Sequence, residues 1–430
     1  MQHVVAIVGG AVAGSEAAVL CAERGISAVV FEQGDRPYGK IEDGLPRWHD
    51  KLRTKEYAKI DENLSHPLVR FVPQTRIGTD LSFEDLRSAG FSALIFASGA
   101  WRDRPLPIEN EAALIGRGLL YQNPLVGWFN HSHEAGAEPW VLPEGALVVG
   151  GGLASIDVVK ILSLETHARA LRAKGIEVDV VDLEHKGIPR FCSEAGVEVA
   201  DLGVEKPTLH YRRTMDAMPL ASAPDGATEA QQAKVRGARV KIMERVMDRY
   251  CVDFAPLSTP VGPIVEGGHL VGLQMARTEV VDGRVKVTDE VARVRTPLVV
   301  GSIGSVPVPI PGIPMKGELY DYADWNTGEI RGLEGVFGLG NVLTGKGNIK
   351  DSRANAREIT QLLLSGHLKE AAVLMDEAHA TARAAAEPAI DAAAERAADP
   401  AAIDALVEAR WKSIGYPGSY AAWMERHRPE

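Results

Sequence analysis

Apolar residues follow two rhythms along this chain, and the rhythms predict its elements. Short unbroken runs have the length and β-branched content of strands buried on both faces, as in a parallel sheet. They are VVAIV at 4–8, SAVVF at 27–31, the start of VRFVPQTRI at 69, SALIFAS at 92–98, ALVV at 146–149 and TPLVVG at 296–301. Between them SEAAVLCAERG, residues 51–64, VVKILSL and KDSRANAREITQLLLS carry helical patterns. Strands alternating with helices in this way predict an α/β protein. Residues 249–254, 272–275 and 285–287 alternate instead like short antiparallel strands, a β-rich insertion ahead of the last buried run. Residues 367–430 differ in kind. They are alanine-rich, broken by Pro388 and Pro400, and close on GYPGSYAAWMERHRPE, which predicts one or more helices packed on the body or on a partner.

The turns carry the chemistry. The opening run passes straight into Gly9-Gly10-Ala11-Val12-Ala13-Gly14 and then a helix. A pyrophosphate must lie against backbone N–H groups at a helix N-terminus, so such a turn needs residues with almost no side chain. Gly9, Ala11 and Gly14 take the three small positions of G-x-G-x-x-G, with alanine in the middle. Glu32, with Gln33 beside it, ends the second strand, where an acid can accept hydrogen bonds from ribose hydroxyls. Ser98-Gly99 forms a further small-residue turn at a strand end, and Pro105 and Pro107 mark a chain leaving its domain.

The same architecture restarts at ALVV, followed by Gly150-Gly151-Gly152-Leu153-Ala154-Ser155 and a helix, with Gly150, Gly152 and Ser155 at the fingerprint positions. Two dinucleotides, one to give a hydride and one to receive it, are the simplest explanation of the repeat. The end of the repeat's second strand should name its nucleotide, and two stretches compete. IEVDVVDLE ends near Asp182 and Glu184, which suit a free 2′-hydroxyl; TLHYRR ends in Arg212 and Arg213, whose guanidinium forks suit a 2′-phosphate. Near the end, GLEGVFGLG holds a strand that leads into a glycine-rich turn running from Gly340 and Asn341 to Gly347, Asn348 and Ile349.

Composition narrows the picture. A chain of 430 residues, 45% hydrophobic and 24% charged, is a soluble globular protein of more than one domain. Its net charge of -11 disfavours nucleic acid and anionic membranes as partners. Cys21, Cys192 and Cys251 form no C-x-x-C and no four-ligand set, so electrons leaving this chain must go to an acceptor outside it. Asn130-His131-Ser132-His133 has no nearby third ligand, reads as a solvated polar loop, and is assigned no metal. No apolar run reaches membrane-spanning length and no basic n-region opens the chain, which predicts a cytoplasmic protein.

In order, GGAVAG with Glu32, PYGKIEDGLPRWHDKLR, FASGA, GGGLASIDVVKIL, YRRTMDAMP and GLGNVLTGKGNIKDSR resemble the ferredoxin-NADP reductases of adrenodoxin reductase type and the related glutamate synthase small subunit. The resemblance covers residues 3–365 and implies two Rossmann-like dinucleotide-binding domains. An FAD domain, 1–110 and 305–366, would use Gly9, Ala11, Gly14, Glu32, Gln33, Gly39, Ser98, Gly99, Gly340, Asn341, Gly347, Asn348 and Ile349. An NADPH domain inserted in it, 111–304, would use Gly150, Gly152, Leu153, Ser155, Arg212 and Arg213, the arginine pair now preferred over Asp182. Residues 367–430 would be a helical C-terminal extension through which oligomers could form. His49 matches the family histidine beside the flavin-nicotinamide contact. The helix N-terminus after the late turn would bring partial positive charge and free N–H groups to an anionic reduced flavin. The implied activity is hydride transfer from NADPH to FAD, then electron transfer to an external acceptor, expected to be a ferredoxin-like iron-sulfur protein. Lys40, Arg47, Lys51, Arg53 and Lys55 are the expected docking patch. The alternatives are a reductase subunit of a larger glutamate synthase-like or oxygenase complex, and a noncatalytic FAD-binding assembly protein.

Overall fold

The computed structural model describes residues 3–428 except 225, 346 and 369–397. The chain divides into two compact units, one of Met1–Glu42, Asp50–Arg102 and Ser305–Glu430, the other of Asp43–His49 and Asp103–Gly304. Among the described residues no helix is long and apolar enough to cross a membrane.

The first unit is built on a seven-stranded sheet in the order Tyr322–Asp324, Glu329–Ile330, Val336–Gly338, Ala93–Phe96, Val4–Val8, Ser27–Phe31, Val69–Val72. The five strands from Val336–Gly338 to Val69–Val72 are parallel, with Val8 opposite both Phe31 and Phe96. Every residue of Val4–Val8 and Ser27–Phe31 is buried, as unbroken apolar runs require. The helices Val12–Ala22 and Ile349–Ser365 pack side by side, and Glu16 on the first, buried, accepts from Arg357 Nε at 2.6 Å. The described part of the tail belongs to this unit. Asp399 caps the helix Pro400–Ile414, which lays Ile403 and Val407 into the core along the edge strand Val69–Val72. Trp411 Nε1 donates to Phe71 O at 2.8 Å, Trp423 Nε1 donates to Asp35 O at 2.7 Å, and the Tyr420 ring meets Phe71 edge-on. Covering an edge strand removes a surface on which other chains could pair. Residues 369–397 of the expected helical extension lie outside the described residues.

The second unit has an all-parallel five-stranded sheet in the order Leu119–Tyr121, Val299–Ser302, Leu147–Gly150, Thr208–His210, Asp253–Ala255. Three long antiparallel strands, Ser258–Glu266, His269–Val281 and Arg284–Arg295, form its β-rich insertion.

Several expectations are corrected here. IEVDVVDLE is not a strand: Asp179 accepts from Val181 and Asp182 N–H, both at 2.9 Å, and starts the helix Val180–Lys186. A capping acid at that position outweighs the β-branched run. Arg249 and Tyr250 end the helix Glu229–Tyr250, which the strand-like alternation hid, and Asp253–Ala255 after it is a parallel strand, not an antiparallel one. Asn130 and His131 close the helix Gln122–His131 rather than lying in a loop. Asn341–Thr344 is a helical turn. Residues Asp43–His49, expected in the first domain, pack with the second unit.

Candidate functional site

In each unit the strand order reverses at the strand that leads into the glycine turn, and such switch points open a crevice at the carboxyl ends of the strands. In the first unit that strand is Val4–Val8, with Ser27–Phe31 on one side and Ala93–Phe96 on the other. Gly9 has φ +100, and a Cβ on it would stand 2.7 Å from Ala97 O; one on Gly14 would stand 1.8 Å from Gly9 O. Ala11 precedes the helix Val12–Ala22 without a side-chain cap, and the first turn holds no acid. Glu32 is buried: one carboxylate oxygen accepts from Gly10 N–H at 2.8 Å, the other from Gly34 N–H at 3.1 Å. Gln33 is exposed beside it.

Gly39 opens the turn Gly39–Ile41 and lies against Ala11, where a Cβ would come within 3.0 Å of the alanine methyl. Ser98 and Gly99, the latter with φ +69, follow Ala93–Phe96 at the same end of the sheet. Gly338 pairs with Phe96, so Gly340 also arrives there; its N–H donates to Asn355 Oδ1 at 2.6 Å, and a Cβ on it would meet that of Ala13 at 2.6 Å. Asn341 Oδ1 is buried without a donor among the described residues. Gly347 and Asn348 are exposed and Ile349 begins the long helix. The Asn348 carboxamide caps that helix, accepting from Asp351 N–H and donating to the Asp351 carboxylate, both at 2.8 Å. With an acid in the first turn, this N-terminus is not the open positive end expected for an anionic flavin.

In the second unit the switch strand is Leu147–Gly150, between Val299–Ser302 and Thr208–His210. The helix Leu153–Ala173 starts behind Gly152 with neither a side-chain cap nor an acid in its first turn. A Cβ on Gly152 would meet nothing within 4 Å, whereas one on Gly150 would strike Ser155 Oγ at 2.2 Å. Ser155 Oγ itself donates to Ser302 O at 2.9 Å, so it ties the helix to the neighbouring strand. Leu153, the first residue of the helix, is exposed. Thr208–His210 leads into Tyr211, Arg212 and Arg213, with Arg212 exposed and Arg213 half-buried. The Tyr211 ring covers Gly151, where a Cβ would fall 2.1 Å from it.

Arg213 Nη2 donates to Gly283 O at 3.0 Å, and Thr278 Oγ1 donates to Arg212 O at 3.0 Å. The antiparallel insertion therefore holds the arginine segment in place. A cavity of about 510 Å³ lies beside it, lined by Arg213, Thr214, Arg277, Thr278, Thr288 and Glu290 among others. Tyr211 adjoins the predicted arginines, but nothing in the sequence points to Arg277, which comes from a distant strand. Asp182 and Glu184, the rival pair, sit on the helix Val180–Lys186, away from any strand end.

His49 lies in the second unit, in the turn Arg47–His49, with Nε2 3.5 Å from Asp157 Oδ1 on the helix Leu153–Ala173. The residues expected to form a docking patch have the following surroundings. Lys40 donates to Ser305 Oγ at 3.3 Å and lies over the Trp101 ring; Arg53 donates to Tyr57 OH at 3.0 Å; Lys51 and Lys55 are exposed. Arg47, in the other unit, reaches His133 Nδ1 at 2.8 Å and covers the Phe129 ring. His131 lies between Asp43, at 2.9 Å, and Glu134, at 2.6 Å. Cys21 is buried in the first helix, and burial pushes its thiol up to about 12.

No protein-family model matches the chain. It is 27% identical over 378 residues to the NADPH-ferredoxin reductase FprA of Mycobacterium tuberculosis, covering 80% of this chain and 78% of that one. It is 29% identical over 161 residues to the NADPH glutamate synthase small chain of the same organism, 34% of this chain and 31% of the other. The solved structure of Mycobacterium tuberculosis FprA in complex with NADPH superposes with a TM-score of 0.67 at 21% identity, covering 92% of this chain and 90% of that one. The chain thus has the α/β fold of that reductase and is related in sequence to the two kinds of protein its motifs resemble, the NADPH-ferredoxin reductases and the glutamate synthase small chains.

Proposed function

We propose that the chain is an NADPH-dependent FAD oxidoreductase that passes electrons to an external acceptor, a ferredoxin-like iron-sulfur protein. One observation carries the reading. The two fingerprint helices start at switch points with no side-chain cap and no acid in the first turn. The helices that open at Ser82, Asp179, Thr228, Asn348, Asp399 and Ser419 are each capped by their own side chain. Uncapped N–H groups behind glycine turns suit a pyrophosphate; the helices behind Gly187 and Gly340 are uncapped too, and the two fingerprint helices are set apart by standing at the switch points.

The residues fit FAD in the first unit: Gly9, Ala11 and Gly14 give the close approach, Glu32 offers ribose acceptors, and Asn341 Oδ1 is an acceptor still lacking a donor. They fit NADPH in the second: Gly152 leaves open space, Tyr211 covers the turn, and Arg212 and Arg213 supply the forks for a 2′-phosphate. A bound flavin supplies the two-electron carrier between a hydride donor and a one-electron acceptor. The protein's own part is to bind, orient and exclude water, and it needs few acid-base groups. His49, oriented by Asp157, is the group able to hold a proton beside the helix that takes the nicotinamide nucleotide.

The likeness to a glutamate synthase small chain supports a second reading, in which the acceptor is a larger subunit that stays bound. Co-purification of a large partner distinguishes it. The main test is anaerobic titration of the yellow protein. NADPH is expected to bleach the flavin, and Arg212→Ala with Arg213→Ala is expected to raise KM for NADPH about tenfold or more while NADH use changes little. A flavin that neither nucleotide bleaches would make this a noncatalytic flavoprotein, and equal losses for both nucleotides would remove the 2′-phosphate argument.

A further inference from the structure

We infer that Lys160 is a positioning residue, whose buried ammonium latches the indole of Trp48 and so fixes His49 against Asp157. The inference rests on the reading of His49 given above and assigns the device that holds it. Lys160 and Asp157 stand three residues apart on the helix Leu153–Ala173, hence on one face of it. The adjacent residues Trp48 and His49 dock on that pair in register, with Lys160 Nζ 4.5 Å from the Trp48 ring centroid and His49 Nε2 3.5 Å from Asp157 Oδ1.

The ammonium has little water around it. Lys160 is 6% exposed, its Nζ lies 2.6 Å from Glu184 Oε1, and the Tyr250 ring covers it from another side at 4.6 Å. Tyr250 OH donates to the same carboxylate oxygen at 2.8 Å. A lysine is costly to bury and is kept only where its charge is matched, so the charge itself needs a role here. The indole supplies one. Trp48 is 4% exposed and its Nε1 has no acceptor among the described residues, so the ring is held by packing: Lys160 lies over it, and the Phe129 ring meets it at a tilt with centroids 4.9 Å apart. Cation–π attraction is strongest where both partners are desolvated. The rest of the segment is tied to the same unit: Arg47 N–H donates to Asn130 Oδ1 at 2.9 Å, Asn130 Nδ2 donates to Leu45 O at 3.1 Å, and Asp43 pairs with His131. Those ties place the segment, while Lys160 sets the orientation of the dipeptide that ends in His49.

The test uses the full-length flavoprotein with Lys160→Met combined with Glu184→Gln, so that no buried carboxylate is stranded. Labelling of individual histidines with diethyl pyrocarbonate, read by peptide mass spectrometry, reports the freedom of His49 without reference to activity. His49 is expected to label several-fold faster while His131 and His167 keep their rates, and Lys160→Arg is expected to restore the slow rate. In steady-state assays with NADPH and ferricyanide, kcat should fall about tenfold with KM for NADPH little changed, as for a misplaced group. His49→Gln should then add no further loss in that background. Unchanged labelling of His49 overturns the inference, as does a rise shared by all three histidines, which would mean general loosening. Faster labelling of His49 together with full activity of His49→Gln upholds the latch and removes His49 from the chemistry. If the double variant does not fold, Trp48→Leu, which keeps both charges, carries the same expectations.

Discussion

A Cβ on Gly14 would stand 1.8 Å from Gly9 O, while one on Gly152 would meet nothing within 4 Å. The first glycine is demanded by the packing of helix on strand, and the second leaves room above its turn. Both requirements are local, so both were legible as spacing in the sequence. Glu32 was legible for the same reason, though not its grip on Gly10 and Gly34 N–H. Residues that act through a distant neighbour carried no such mark: Arg277 reaches the arginine cavity from the insertion, and Lys160 reads in the sequence as one polar position on an amphipathic helix. His131 belongs with them. Hydrogen bonding to Asp43 raises its pKa against burial, Glu134 adds to this, and the result is about 9. Because this lies above the ordinary value of 6.5, the stability it contributes is fully present below pH 6.5 and is lost as pH rises through 9. The melting temperature is expected to fall across that window in the native chain and to fall less in His131→Asn; parallel curves would count against the pair.

At the scale of elements, caps were better guides than apolar content. Asp179 turned a β-branched run into a helix, and Thr228, whose hydroxyl accepts from Gln231 N–H while the Gln231 side chain accepts from Thr228 N–H, opened the long helix Glu229–Tyr250. The two fingerprint helices lack such caps, as do the helices behind Tyr121, Gly187 and Gly340, and differ from those in starting at switch points. The tail shows what propensity leaves open. Alanine content predicts helix but not a partner, and the partner of the described helices is the edge strand Val69–Val72 of their own unit. Ile403 is fully buried there, so Ile403→Ala is expected to cost about 2–5 kcal/mol by lost burial and cavity formation. Denaturant melts of the first unit would show this, and a loss below 0.5 kcal/mol, the range of surface substitutions, would mean that the helix is not docked.

The whole molecule combines two units, each with its own hydrophobic core. Chains with two cores depart from two-state unfolding, and a ligand stabilises only the part that binds it. Calorimetry is therefore expected to resolve two transitions, of which NADP+ raises one, by about 2.7 kcal/mol at a hundredfold excess over Kd. A single transition that moves as a whole would show that the units unfold together. The net charge of -11 makes a local surface, not the overall field, responsible for any attraction to an acidic acceptor. What the sequence by itself determined is what short-range stereochemistry dictates: two strand-turn-helix fingerprints, the acid after the first, the arginines after the second, and buried strands between them. Tertiary structure alone decided that Asp43–His49 leaves the unit around it in sequence, that the insertion braces Arg212 and Arg213, and that Trp48 and His49 dock on Lys160 and Asp157. Those contacts join residues far apart along the chain, whose meeting depends on how whole elements pack, and no local pattern records it.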